Sequence, residues 1–132
     1  GVAAALRFPD RQVFSIVGDG GALMTGSELA TAIAQNAKIR VIVANNNHYG
    51  TIRYHQEVHF PTRDHYATNL INPDFAKYGE SFGLECFIIN KVEEVIPILK
   101  RAMEVDGPSL IEFKMSLELN TSTTSISELH GI

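Results

Sequence analysis

The chain has 132 residues, of which 45% are hydrophobic and 20% charged, with a formal net charge of -4. That is the size and balance of one globular domain with a single core. Its five scattered histidines and 11 Lys and Arg against 15 Asp and Glu form no basic stripe for a nucleic-acid backbone, and no apolar run approaches the roughly 18 residues needed to span a bilayer. Nucleic acid and membranes are therefore not expected partners.

Gly1 to Leu6 reads as the latter part of a helix whose start is missing, so the chain is expected to be a fragment truncated at its N-terminus. Gln12 to Val17 is short, β-branched and aromatic between Pro9-Asp10 and Gly18, which predicts a buried strand. From Ser27 to Ala37, Leu29, Ile33 and small alanines fall at helical spacing, with Thr25 or Ser27 as cap. Ile39 to Ala44 is again a strand, nearly continuous in apolar residues as buried parallel strands are. Residues 45–71 show no period and read as a long loop carrying His48, His55, His59, His65, Tyr49, Tyr54 and Tyr66.

Asn72-Pro73-Asp74 is a helix start with Asn72 as cap, and the helix from Asp74 to Phe82 stops at Gly83. Glu85 to Ile89 is a third strand, and Glu93 to Val105 an amphipathic helix in which Pro97, near the second turn, removes a donor. Asp106-Gly107-Pro108 turns the chain into a fourth strand, Ser109 to Lys114, and the hydroxyl-rich stretch from Asn120 to Ser125 reads as a loosely held tail. Strands alternating with helices predict an α/β fold, a doubly wound, mostly parallel sheet with helices on both faces. The single cysteine, Cys86, forbids an intrachain disulfide. With no signal-like N-terminus, it makes a reducing cytoplasm the expected compartment, and its apolar neighbours favour an inert thiol.

Chemistry concentrates at two strand ends. Gly18-Asp19-Gly20-Gly21 follows the first strand, Asn45-Asn46-Asn47 follows the second, and Asp19 and Asn46 are 27 residues apart. One strand, one helix and a parallel strand occupy that length, so a crossover returns Asn46 to the sheet edge of Asp19, where open α/β sheets bind ligands. A carboxylate and an amide oxygen suit magnesium or calcium rather than zinc or copper. Two side chains and one carbonyl from the Asn47-His48 turn leave about three positions, which Mg²⁺ fills with water and phosphate oxygens, so a diphosphate ligand is expected. Gly20 and Gly21 let backbone N–H groups approach it, and the positive end of the helix near Ser27 points the same way. No Lys or Arg occurs from Gly18 to Ala37, and neither a P-loop nor Gly-x-Gly-x-x-Gly is present, so charge compensation falls to the metal and the backbone donors.

Gly18-Asp19-Gly20, an interval of 24 residues, then Asn45-Asn46 resembles the thiamine-diphosphate fingerprint of the acetolactate synthase and pyruvate decarboxylase superfamily. The likeness continues through Leu6 to Arg11, Met24 to Ala32, Asn72 to Ala76 and Gly107 to Glu112, so residues 1–132 look like nearly the whole C-terminal, diphosphate-binding domain of a larger multidomain enzyme. The resemblance implies Asp19 and Asn46 as side-chain Mg²⁺ ligands and the main-chain oxygen of His48 as the third. It further implies diphosphate and cofactor contacts from Gly18, Gly20, Gly21, Tyr49, Gly50 and Thr51.

The activating glutamate is expected on a separate domain, so no catalytic residue is assigned here. The implied parent is a decarboxylase or carboligase, a lyase or transferase acting on a 2-oxo acid as a homodimer or homotetramer, with this chain alone inactive. The rival reading is a non-catalytic α/β module that holds Mg²⁺ and a phosphate ligand. Spacings of seven, four and six exclude the four loop histidines as a compact metal set on one helix or hairpin. Arg53 and Arg63 read either as a carboxylate clamp or as solvated residues, Met24 and Phe75 as core, and Tyr49 as an aromatic free to pack on the diphosphate loop.

Overall fold

A computed structural model describes residues 1–118 and 125–129. In chain order the elements are α1 (Val2–Arg7), β1 (Val13–Gly18), α2 (Asp19–Thr25), α3 (Leu29–Ala34), β2 (Ile39–Asn45), α4 (Gly50–His59), α5 (Phe75–Ser81), β3 (Glu85–Ile89), α6 (Val95–Glu104), β4 (Ser109–Lys114) and α7 (Ile126–Leu129). The four strands form one parallel sheet in the order β1-β2-β4-β3. All four lie where the apolar runs predicted them, and the α/β expectation holds.

Alternation along the strands sorts side chains to two faces. One face packs Val43 and Leu110 against Ala22 of α2, Leu29 of α3 and Phe75 of α5, and continues through Ile39 to Ala5 of α1 and Ala32 of α3. The other packs Phe87, Ile89 and Ile111 against Ala102 of α6. Phe75 is core as expected, whereas Met24 is 71% exposed.

Four local expectations are corrected. The helix read over Ser27 to Ala37 starts earlier: α2 begins at Asp19, a 3-10 turn spans Gly26–Glu28, and α3 ends at Ala34. Neither Thr25 nor Ser27 caps it. Thr25 instead donates its hydroxyl to the Gly21 carbonyl at 3.3 Å, and at the α2–α3 junction a Cβ on Gly26 would meet Tyr78 Oη at 2.7 Å. The supposed loop of residues 45–71 contains α4, which buries no residue and so shows no apolar stripe. At α5 the cap is Asp74, whose carboxylate accepts the Lys77 N–H at 3.0 Å and is held below the usual carboxylate range by that bond. Pro97 falls in the first turn of α6, where its missing N–H costs no intrahelical bond.

Of the tail expected over Asn120 to Ser125, all but Ser125 lies outside the described residues. Ser125 exchanges hydrogen bonds with Glu128 at 2.7 and 3.2 Å, bracketing α7, which lies against α4. Cys86 is half-buried, and burial, assisted by the charge of Glu80, pushes its thiol up to about 11.

Candidate functional site

The C-terminal ends of β1 and β2 are adjacent in register, Gly18 opposite Ala44, so the two predicted segments leave the sheet side by side. Between them opens a cavity of about 250 Å³ lined by Gly18, Asp19, Gly20, Gly21, His48, Tyr49, Gly50, Thr51 and Ile52. Eight of the nine predicted site residues line it; the ninth, Asn46, does not. Ile52, 53% exposed, is an addition. It was hidden because α4 itself was unforeseen. A larger cavity of about 340 Å³ opens elsewhere, among Val17, Leu29, Phe75, Tyr78 and Leu110; its wall is mostly aliphatic and aromatic, with Ser15, Thr25 and Glu28 among its polar members, a lining that suits an apolar ligand better than a diphosphate.

Asp19 is 2% exposed. Its Oδ1 accepts the Gly20 N–H at 2.9 Å and its Oδ2 accepts Nδ2 of Asn72 at 2.7 Å, so one lone-pair direction on each oxygen stays open to a cation. It is the only charged residue lining the cavity. Two helices begin at its walls, α2 at Asp19 and α4 at Gly50, and the first-turn N–H groups of each lack intrahelical acceptors. Side-chain bulk is absent where the backbone must come close. A Cβ on Gly20 would collide with the Tyr49 ring, and one on Gly21 would stand 2.8 Å from Val17 Cγ2. Tyr49 thus packs on the Gly-Asp-Gly turn.

The three consecutive asparagines have separate jobs. Asn45, 3% exposed, donates Nδ2 to Glu112 Oε1 at 2.6 Å and accepts the Asn47 N–H at 3.1 Å. Asn46 Oδ1 accepts the His48 N–H at 3.1 Å, an Asx-turn, and retains a second lone pair. Asn47 takes a left-handed φ of 58°, which Asn tolerates. The His48 carbonyl accepts the Gly50 N–H at 2.8 Å. The His48 ring is fixed as well: Arg53 can only donate, so Nε2 accepts from it at 3.1 Å and Nδ1 donates to the Asn46 carbonyl at 3.1 Å.

Arg53 is further committed to Glu57, 3.2 Å away within side chains 12% and 9% exposed, which removes it as a free carboxylate clamp. Arg63 stacks on Phe60 at 5.7 Å. Among the described residues no group of three His, Cys, Asp or Glu converges on a metal position. Of the four loop histidines only His55 and His59 stack, with centroids 5.8 Å apart.

Asn72 was read as a helix cap; its actual place is in the site, where Nδ2 bridges Asp19, Asn45 and Asn47. Glu112, wholly buried, is joined to it through Asn45 and to Lys114 at 2.5 Å. No spacing rule marks either residue. The only signal was a carboxylate, Glu112, inside an otherwise apolar strand.

The donor set fits a Mg²⁺-diphosphate. It offers hard oxygens, backbone N–H groups and a glycine cradle that side chains would fill, with no Lys or Arg in the lining to neutralise an anion.

The chain matches the model of the family described as "Thiamine pyrophosphate enzyme, C-terminal TPP binding domain" over residues 1–113. It is 41% identical over 118 residues to a 3D-(3,5/4)-trihydroxycyclohexane-1,2-dione hydrolase of Bacillus subtilis, covering 83% of this chain and 18% of that protein. With the acetolactate synthase large subunit of Corynebacterium glutamicum it shares 35% identity over 111 residues, 80% of this chain and 18% of the relative. A solved thiamine diphosphate-dependent 4-hydroxybenzoylformate decarboxylase of Rhodococcus jostii superposes with a TM-score of 0.80 at 29% identity, over 87% of this chain and 22% of that one. The chain thus spans about a fifth of the length of these relatives, 18% to 22%. It belongs to the family of C-terminal thiamine pyrophosphate-binding domains of thiamine pyrophosphate enzymes.

Proposed function

We propose that this chain is one domain of a larger thiamine-diphosphate-dependent enzyme, a decarboxylase or carboligase of the lyase or transferase type acting on a 2-oxo acid, and that it anchors the cofactor's diphosphate through Mg²⁺. The observation that carries this is a cavity with one buried carboxylate, two helix starts and no cationic lining. An anion seated there requires a metal between itself and Asp19. Asp19 and Asn46 would hold Mg²⁺ with their side chains and His48 with its main-chain oxygen, while Gly18, Gly20, Gly21, Tyr49, Gly50 and Thr51 would contact the diphosphate. When bound, thiamine diphosphate supplies the carbon nucleophile and the electron sink for cleavage beside a carbonyl. This chain's own part is to bind, orient and neutralise. Nothing lining the cavity offers a glutamate to activate the cofactor, so that group would come from outside the chain.

Similarity to an acetolactate synthase and to a 4-hydroxybenzoylformate decarboxylase favours a 2-oxo acid substrate. A second reading has its own support: the 41% identical relative is a hydrolase of a cyclic 1,2-dione, so C–C hydrolysis of a vicinal diketone is the competing reaction.

Calorimetric titration of the full-length protein with thiamine diphosphate, with and without Mg²⁺ and against inorganic diphosphate, tests the anchor. Binding should require Mg²⁺ and favour the thiamine form. It should vanish in Asp19→Ala, which removes the only charged ligand, and weaken less in Asn46→Ala. Equal binding by wild type and Asp19→Ala would sink the site, and equal affinity for plain diphosphate would favour a non-catalytic module. Offering the loaded protein 2-oxo acids and cyclic 1,2-diones separates the two reactions.

A further inference from the structure

Three segments of the site meet at one nitrogen. Asn72 Nδ2 lies 2.7 Å from Asp19 Oδ2, 2.9 Å from Asn45 Oδ1 and 3.2 Å from Asn47 Oδ1. An amide nitrogen carries two hydrogens, so three acceptors share them, and the shortest contact is the charge-assisted one to Asp19. Turning the amide over would press its oxygen against three others, so chemistry fixes the nitrogen in this place. The arrangement costs something: Asn72 Oδ1 is buried with no partner, the kind of orphan that structures retain only where another contact depends on it.

We propose that Asn72 is a positioning residue for the metal-binding carboxylate, holding Asp19 Oδ2 so that the free lone pairs of the carboxylate face the cavity. The proposal rests on the Mg²⁺ and thiamine diphosphate reading above. With Gly20 N–H on Oδ1 and Asn72 on Oδ2, rotation of the carboxylate breaks both bonds. Asn72 is itself well mounted. Pro73 after it confines its backbone to the extended region, and Phe75 at the start of α5 is fully buried. The same nitrogen ties Asn45 and Asn47, so the strand end bearing Asn46 is held in register with Asp19. Asn45, whose amide is spent on Glu112, Asn47 and Asn72, serves as internal anchor, and of the pair it is Asn46 whose Oδ1, accepting only the His48 N–H, keeps a lone pair for a metal.

The test is Mg²⁺ titration of the full-length protein at fixed thiamine diphosphate, read by calorimetry, on wild type, Asn72→Ala and Asp74→Ala. Outer contacts of this kind are worth roughly 10- to 100-fold in metal affinity, and Asn72→Ala should lose that much. Asp74→Ala removes the cap of the same helix but touches no site oxygen, so its Mg²⁺ affinity should stay within about twofold of wild type even where its melting temperature falls. Should Asn72→Ala not fold, Asn72→Ser, which puts a hydroxyl donor in place of the amide, takes its place and should fall between. Wild-type affinity in the Asn72 variants, or equal losses in the Asn72 and Asp74 variants, overturns the positioning role. Failure of the wild type to bind in a Mg²⁺-dependent way overturns the cofactor reading instead.

Discussion

At the scale of single residues, the glycines of the Gly-Asp-Gly-Gly run are not equivalent. Gly18 has φ and ψ of -70° and 157°, open to any residue, and a Cβ there would meet nothing within 4 Å. Gly20 lies under the Tyr49 ring, with Leu70 Cδ1 3.4 Å from the position a Cβ would take. Gly20→Ala must therefore displace an aromatic that is itself held by its N–H bond to the Thr68 carbonyl at 2.8 Å. Overpacking of this kind costs about 1–3 kcal/mol, whereas Gly18→Ala should stay within about 0.5 kcal/mol of wild type. Urea denaturation of the two variants measures this, and equal stabilities would show that Tyr49 does not pack on the turn. The asparagines repeat the lesson. Three in a row looked redundant in sequence, and the structure divides them into a buried anchor, an Asx-turn and a left-handed corner.

Among elements, the C-terminal end of α6 has its own device. Arg40 on β2 is 1% exposed and has no carboxylate against it among the described residues. Its guanidinium donates to the carbonyls of Gly107, Val105 at 2.9 Å and Met103 at 3.3 Å, and to Gln12 Oε1 at 3.2 Å. The carbonyls belong to the end of α6 and the turn into β4, so one charge satisfies the orphan acceptors of a helix terminus and ties α6 to the sheet. Burial without an anion lowers the Arg40 pKa. Arg40→Met takes the donor from the Gly107 carbonyl, while the Met103 carbonyl keeps Gln12 Nε2 at 3.2 Å and the Val105 carbonyl keeps the Gly107 N–H at 3.1 Å, and should cost about 1–3 kcal/mol. Arg40→Lys should recover less than half of that, because a point charge cannot span the fork. Chemical denaturation decides, and a neutral Arg40→Met would refute the clamp.

What the sequence made legible at this scale follows from the same physics. The strands were readable because buried parallel strands are mostly apolar, and here Gly, Pro or Asn stands at one end or the other of each of β1, β2, β3 and β4. Helix α4 was not, since it is held by the Arg53–Glu57 pair and by α7 rather than by an apolar stripe. Helix α2 was hidden by glycines that read as loop. The Asp19 turn was visible as a motif, whereas Asn72 and Glu112 act through contacts between residues 53 and 67 positions apart, which no local pattern encodes.

For the whole molecule, the two faces of the sheet are covered unequally. Across one row the partners are Ile16, Ile42, Ile111 and Phe87 on β1, β2, β4 and β3. Helix α6 packs on β3 and β4, so Phe87 is 6% and Ile111 0% exposed, Ile42 is intermediate, and Ile16 is 74% exposed. Phe14, two residues earlier on the same face, is 41% exposed. Parallel sheets are ordinarily buried on both faces, and a Phe-Ile pair left open on β1 is a surface that sticks. The 132-residue chain by itself should therefore associate as its concentration rises, visible in light scattering. Ile16→Thr keeps the β-branched strand propensity and should suppress that association while changing folding stability by no more than about 0.5 kcal/mol. In the full-length protein the outcome should invert. If further chain covers the face, the same substitution puts a hydroxyl into a packed interface and should cost about 1–3 kcal/mol. A substitution that is neutral in both settings would mean that β1 keeps its outer face in water in the larger protein too.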